Sequence, residues 1–244
     1  MRGRLAAGLA ALLLVVIAIG AFFHIRRNDA SSAPAPRPPS ERPSLMLLTT
    51  LPLMFPNHFE LNAPAPLALK ALQSRYHIIP ISVADADELD HRRLLLMAQP
   101  QAQPAEALVD LDNWVRAGGH VLLLADPALE WPSDHPLGSL LRPPFAFADT
   151  GLLAHWGLGL DAPDRQGQAK RVADDRQIRT QSPGNLIATG SDCSIDGDGF
   201  IARCSIGSGK VIVIADADFL NADSRQGSDS NLDVLLFELE RLEH

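Results

Sequence analysis

The chain has 244 residues, of which 46% are hydrophobic, and its formal net charge is −8 at pH 7. The first 43 residues hold six of the 21 basic and two of the 29 acidic residues, so the remainder carries 15 basic against 27 acidic residues and a formal charge of −12. Proteins that bind nucleic acids neutralise phosphates with lysine and arginine, and so acidic a surface excludes that class. No nucleic-acid partner is expected.

An uncharged run opens the chain at residues 5–23. Its 19 residues are just enough for a helix that crosses a bilayer, which needs about 20, and arginines flank it on both sides. Small residues at 18–20 also fit a cleavable signal peptide. Phe22, Phe23 and the arginines after them favour a retained anchor over residues 1–27, but both interpretations remain open. Each of them makes the membrane a partner.

A segment rich in proline, serine and alanine follows at residues 28–43 and predicts an extended linker. Basic residues on the two sides of the uncharged run nearly balance, so the positive-inside rule does not orient the chain. The linker, together with the cysteine pair described below, favours an oxidising compartment for the rest of the protein. We therefore expect a single-pass protein of the inner membrane with a periplasmic domain at residues 44–244.

Strands and helices alternate along this domain, which predicts an α/β fold with a mostly parallel sheet in a three-layer sandwich. The first half contains predicted strands at 44–50, 77–82, 93–98 and 120–125 and predicted helices at 67–76 and 104–117. Pro80 removes a backbone donor and places the second strand at an edge. The second half predicts a short helix at 150–157, antiparallel strands between 185 and 206, a buried strand at 211–215 and a closing helix from residue 230, whereas residues 161–181 show little periodicity.

The strands at 120–125 and 211–215 are apolar on both faces, which predicts that they are neighbours in the middle of the sheet. The carboxyl ends of such strands are where open α/β sheets build their sites. Acidic residues and a histidine lie at or after these two ends. The candidate ligand-binding residues are Asp126, Asp134, His135, Asp216 and Asp218.

Two interpretations of these carboxylates remain open. Their oxygens could bind Mg²⁺ or Ca²⁺, as in a metal-dependent hydrolase or a carbohydrate-binding domain. The simpler interpretation is that Asp126 and Asp216 cap the turns that follow them, because Asp-x-Asp alone lacks a metal-ligand spacing. On that interpretation no metal and no cofactor is expected.

The chain has two cysteines, Cys193 and Cys204. Asp198-Gly199 between them is a typical two-residue hairpin turn. A hairpin centred on that pair places the two cysteines directly opposite each other, within reach of a disulfide bond. The sequence therefore predicts a late antiparallel hairpin with a Cys193–Cys204 disulfide.

Several segments resemble the auxiliary domain of gliding-motility-type (GldG-like) ABC transport systems. The first is the helix that ends in Trp114-Val-Arg-Ala-Gly-Gly119, with the Leu-rich strand and Asp-Pro that follow it. The others are the fragment at 152–158 followed by Asp161, the stretch at 207–219, and Asn231-Leu232. The resemblance implies a fold similar to class I glutamine amidotransferases, without their chemistry, and ABC permease subunits as partners.

The sequence does not supply the chemistry of an amidotransferase. The position of the nucleophilic cysteine falls near Asp126, which carries no thiol, and Pro127 lacks the N–H that an oxyanion hole could use. Neither cysteine follows a parallel strand. We therefore expect a membrane-tethered, non-catalytic accessory or binding module.

Overall fold

The structure is a computed structural model that describes residues 34–54, 65–139, 141–221 and 229–244. The predicted anchor at 1–27 lies outside the described residues. Among the helices of the described ranges, none has the length and hydropathy that a membrane span needs. Residues 34–244 form one of the two units into which the chain divides, and the fold below is that of this unit.

Strands and helices alternate in the first half of the unit, and strands dominate the second half. The strands are β1 (Ser44–Thr49), β2 (His77–Pro80), β3 (Leu94–Ala98), β4 (His120–Leu124), β5 (Leu158–Asp161), β6 (Gln168–Ala173), β7 (Arg176–Gln181), β8 (Asn185–Ala188), β9 (Cys193–Asp196), β10 (Ile201–Ile206) and β11 (Gly209–Ile214). The helices are α1 (Leu67–Gln73), α2 (Ala86–Leu89), α3 (Ala105–Arg116), α4 (Leu152–His155) and α5 (Asp229–Glu243).

A seven-stranded sheet with the order β2-β1-β3-β4-β11-β10-β9 forms the centre of the unit. The first five strands of that order run parallel, and β10 runs antiparallel to both of its neighbours, β11 and β9. The predicted pairing of the two most apolar strands is confirmed, since Val121 lies opposite Val211 and Leu124 opposite Ile214. The second strand lies at an edge, as Pro80 predicts.

Each face of the sheet is covered by its own apolar core. Along β1, Leu45 and Leu47 belong to one core, whereas Met46 and Leu48 belong to the other. The first core includes residues of α1 and α5, and the second includes residues of α3 and α4. Because β1, β3, β4 and β11 are buried on both faces, they are apolar at nearly every position.

Two glycines join α3 to β4. Gly118 has φ of 109°, the left-handed conformation that ends a helix. Gly119 lies under the Trp114 ring, where an added Cβ would come within 2.3 Å of a ring carbon. The double glycine therefore ends the helix, and the absence of a side chain at Gly119 leaves room for the Trp114 indole to pack against the second core.

The late hairpin and its disulfide are confirmed. Cys193 pairs with Cys204 between β9 and β10, and the two sulfurs are bonded with a Cα–Cα distance of 4.0 Å. Asp198 and Gly199 both have positive φ at the turn. The disulfide therefore ties the edge strand β9 to the sheet.

The stretch at 161–181, which shows little periodicity, contains the antiparallel pair β6 and β7. Its strands alternate between exposed and more buried positions, and Ala173, Ile178 and Thr180 are among the few that are fully buried. So few buried side chains leave almost no apolar signal in the sequence. A further pair joins β5 to β8.

Residues 34–43, the end of the predicted linker, contact the domain. The Arg37 backbone donates to Ser74 O at 2.9 Å, and its guanidinium pairs with Glu243 at 2.8 Å. Arg75 donates to the carbonyl of Ala35 and pairs with Glu240. The chain thus enters β1 along the C-terminal turn of α5, at the amino edge of the sheet.

Candidate functional site

The structure brings three of the candidate residues together. Asp126 follows β4, Asp216 and Asp218 follow β11, and all three are fully buried at the carboxyl edge of the sheet. One oxygen from each lies within 4.8 Å of the others. We call these three residues the acid cluster. Asp134 is exposed in the loop after β4, and His135 lies in a different place, described below.

The Asp126 carboxylate accepts backbone hydrogen bonds from two loops. Its Oδ1 accepts from Ala128 N at 2.8 Å, which closes a turn in its own loop. Its Oδ2 accepts from Ala217 N at 2.9 Å and from Asp218 N at 3.3 Å, in the loop after β11. One side chain therefore holds the two neighbouring loops together.

Asp216 joins the β11 loop to β7. Its Oδ1 accepts from Phe219 N at 2.9 Å, which caps the short 3₁₀ helix Asp218–Leu220, and its Oδ2 accepts from Gln181 N at 2.9 Å. Asp218 accepts from Glu130 N at 2.6 Å through Oδ2. Asp126 and Asp216 therefore both accept backbone N–H groups from the turns that follow them.

Glu130 adds a second layer of contacts outside the acid cluster. Its carboxylate accepts from Gln181 Nε2 at 2.6 Å and from the Ser182 hydroxyl. Asn231 connects α5 to the same region, accepting from Arg179 N at 3.0 Å and donating to Phe219 O at 2.9 Å. The sequence offered no signal for these contacts beyond the polar residue types.

Burial dominates the electrostatics of the acid cluster. Desolvation raises the pKa of Asp216 well above the usual range of an aspartate, and the nearby Asp126 and Asp218 carboxylates raise it further. Desolvation also raises the pKa of Asp126. Hydrogen bonds from the backbone N–H groups of Ala217, Ala128 and Asp218, and one with Asp216, act in the opposite direction but do not outweigh the desolvation. We therefore expect Asp216 to stay protonated to a higher pH than an ordinary aspartate, with its carboxyl O–H donating a hydrogen bond to Asp126.

Gln99 extends this network towards the neighbouring strand. It follows β3, is fully buried, and has φ of 44°. Its side-chain Oε1 accepts from Asp126 N at 3.0 Å, and its Nε2 donates to Asp126 O at 3.1 Å. Sequence reasoning missed this residue, because a polar side chain at the end of an apolar strand does not reveal its partner.

The arrangement of the acid cluster suits bracing better than catalysis. Five of its six oxygens accept backbone N–H groups of the same domain. A general acid or base must reach a substrate, and these carboxyls are 0% exposed. Three clustered carboxyls remain a possible donor set for a divalent cation, which prefers oxygen ligands.

A cleft lies at the same edge of the sheet, two strands away from β4. In the sheet, β2 lies on one side of β1, whereas β3 and β4 follow on the other side. The direction in which successive strands are added therefore reverses at β1. The cleft occupies this switch point and has a volume of about 490 Å³. Its lining comprises Leu47, Leu48, Thr49, Thr50, Leu51, Pro52, Met54, Pro80, Ile81, Ser82, Gln101, Gln103, His135 and Leu141. We call it the switch-point cleft.

No known protein family and no curated protein matches the chain by sequence. Among solved structures, the mmIFT52 N-terminal domain matches 80% of this chain and 96% of its own, with 14% identity and a TM-score of 0.54. That likeness shows the fold alone.

Two further solved structures match less well. The exo-β-1,4-mannosidase Op5Man5 from Opitutaceae bacterium strain TAV5 matches 80% of this chain at 15% identity and a TM-score of 0.49, and this chain spans 35% of its length. Cytoplasmic protein STM3548 from Salmonella typhimurium matches 72% of this chain and 85% of its own at 12% identity and a TM-score of 0.48.

Proposed function

We propose that this chain is a membrane-tethered, non-catalytic binding module that serves as an accessory component of an ABC-type transport system, with its amidotransferase-like three-layer domain in the periplasm. The observation that carries the non-catalytic part is the engagement of the acid cluster by backbone amides. Groups that hold loops together in a dry interior are not available to a substrate.

The membrane and transport parts of the proposal rest on the sequence. The uncharged run at 5–23 supports the tether. The helix, double glycine and strand at 114–124, followed by Asp126-Pro127, support the resemblance to the transport-associated domain. The disulfide supports an oxidising compartment, since such bonds persist outside the cytosol.

A metal-dependent hydrolase is the second candidate, and one observation favours it. Oxygens of Asp126, Asp216 and Asp218 lie within 4.8 Å of one another, a spacing at which they could share one divalent ion. A bound cation would replace the proton that we expect on Asp216. The two candidates therefore differ in metal content as well as in turnover.

The first test uses the full chain, purified from native membranes in mild detergent after chemical crosslinking. We expect an intact N-terminus, and permease subunits that co-purify. A mature chain that begins near Ala21 in the soluble periplasmic fraction would remove the tether.

The second test measures metal content and hydrolysis of ester, phosphate and glycoside substrates by the same preparation. We expect neither a stoichiometric metal nor turnover. A divalent ion that is lost in Asp216→Asn together with a hydrolytic activity, and retained in Asp134→Asn, would establish the metalloenzyme instead.

A further inference from the structure

We propose that the switch-point cleft is a binding site for a small, uncharged molecule rich in hydroxyl groups, of the size of a mono- or disaccharide. The inference deepens the proposed binding function, on which it rests, by assigning the site and the ligand class. It moves the site from the acid cluster to the carboxyl ends of β1, β2 and β3.

The position and size of the cleft give the first argument. Ligands of open α/β sheets bind outside the carboxyl ends of the strands where the strand order reverses, and here that point lies at β1. The volume of about 490 Å³ lies within the range of small-molecule sites, about 300–1,000 Å³. The acid cluster at β4 and β11 lies away from this point and is closed by its own loops.

The second argument is the hydrogen-bonding capacity of the lining. The Ser82 hydroxyl and the His135 ring make no hydrogen bond with any other described residue, and both lie on the cleft. Ser82 is exposed and His135 is half-buried, so each can reach a ligand. A hydroxyl and an imidazole can each donate and accept, which is the capacity that a ligand hydroxyl also has.

Three further polar side chains of the lining form hydrogen bonds within the domain. Thr49 Oγ1 donates to Ala98 O at 2.8 Å, and the Thr50 hydroxyl donates to Gln99 O. Gln103 accepts from Ala84 N at 3.1 Å through its side chain. The two threonine bonds cross from the end of β1 to the end of β3, and the Gln103 bond joins the segments that follow β3 and β2. Together they fix the floor, so that binding need not order it.

The third argument is charge. None of the described residues that line the cleft is Asp, Glu, Lys or Arg, although the domain as a whole is acidic. Among these described lining residues, a phosphate or carboxylate ligand would find no guanidinium or ammonium, and a cationic ligand would find no carboxylate. Aliphatic side chains such as Met54, Ile81 and Leu141 supply the walls that pack against C–H faces.

The test is calorimetric titration of the purified full chain with glucose, galactose, mannose and maltose, each compared with glucuronate and glucosamine as charged relatives. We expect at least one neutral sugar to bind and the charged relatives to bind about tenfold more weakly or not at all. Ser82→Ala and His135→Ala should each weaken the neutral sugar about tenfold, because each removes a hydrogen bond. Ser82→Trp should abolish binding by filling the cleft.

Matched controls are His77→Ala, at the opposite end of β2, and Thr189→Ala, at an exposed site outside the cleft. Both should bind as the wild type does, and all variants should keep its thermal midpoint. Equal binding of charged and neutral sugars, no binding of any neutral sugar, or binding that the cleft variants leave unchanged would each overturn the proposal.

The same preparations separate this proposal from the accessory role. If no sugar binds while permease subunits still co-purify, the ligand class is wrong and the accessory role stands. If a bound sugar is converted to product, the site is supported and the non-catalytic role is wrong.

Discussion

Asp216 and Asp126 lie side by side behind neighbouring parallel strands, with carboxyl oxygens within 4.8 Å of each other, and burial raises the pKa of both. Two ionised carboxylates in so dry a place would repel each other, and a shared proton relieves that repulsion. Each side chain accepts a backbone N–H group from a segment that is distant in sequence, Ala217 for Asp126 and Gln181 for Asp216. The same two carboxyl groups therefore share a proton and hold the surrounding loops through hydrogen bonds.

Asp126→Asn should lower the free energy of unfolding by about 1–3 kcal/mol. Both oxygens of Asp126 accept N–H groups, so the amide NH₂ of asparagine must face at least one donor and leave it unsatisfied. Urea denaturation measures the change. Asp134→Asn, on the exposed loop, should change it by less than about 0.5 kcal/mol. Equal stability of the two variants would contradict the bracing role of Asp126.

Asp216 should make the domain less stable as the pH rises. Its folded pKa is raised above the unfolded value, about 3.9, so its stabilisation is complete below that value and is lost as the pH rises through the folded pKa. We expect the free energy of unfolding to fall over that window and Asp216→Asn to reduce the slope. Denaturation at a series of pH values checks this, and an unchanged slope in the variant would show that Asp216 does not hold the proton.

Asp112 should have the opposite dependence. Burial would raise its pKa, but hydrogen bonds from Arg116, Trp156 and His155 outweigh burial and lower it. Its stabilisation is therefore present above the unfolded pKa and is lost as the pH falls through the folded pKa. Asp112→Asn should weaken the loss of stability in acid and leave the slope assigned to Asp216 unchanged, which makes each variant the control of the other.

Reduction of Cys193–Cys204 should destabilise the domain by about 3 kcal/mol, from the entropy of closing a short loop. The cysteines are 11 residues apart. The measurement compares urea denaturation with and without reductant, and the double variant Cys193→Ser/Cys204→Ser should not respond to reductant. Two thiols that react in unreduced, denatured protein from its native compartment would contradict the bond.

Leu123→Asp should prevent folding or cost more than about 3 kcal/mol, because it buries an unpaired charge. Leu123 is 0% exposed and lies between Met97 and Val213 in the sheet. Val109→Asp is the control, because Val109 is 59% exposed on α3. Circular dichroism and denaturation separate the two, and a stable Leu123→Asp domain would remove Leu123 from the core.

The sequence predicts the centre of the sheet well because burial on both faces leaves no choice of residue type. The runs at 120–124 and 211–214 could be identified in that way, and the pairing of Cys193 with Cys204 follows from the turn at Asp198-Gly199. The pair β6 and β7 could not be predicted in that way, since most of its side chains are not buried. Its few buried side chains are covered by α5 and the loop after β11, which are distant in sequence.

The candidate site could be predicted only in part. That Asp126 and Asp216 come close follows from their positions after neighbouring strands. Their partners Gln99 and Gln181 lie 27 and 35 residues away, and nothing local in the sequence specifies contacts over such separations. The switch-point cleft depends on the order of the strands, which the pattern of apolar residues does not determine. The sequence therefore predicts His135 beside the carboxylates, whereas the structure places it on the cleft.

The contact of residues 34–43 with the end of α5 determines how the domain bears a mechanical load. A pull on the chain at Pro34 acts first on the hydrogen bond from Arg75 to Ala35 O, on the Arg37–Glu243 ion pair and on the hydrogen bond from His77 N to Pro43 O. These contacts lie at the amino edge of the sheet, whereas the acid cluster and the switch-point cleft lie at the carboxyl edge. Tension would therefore separate residues 34–43 from α5 before it acted on the loops that line the cleft.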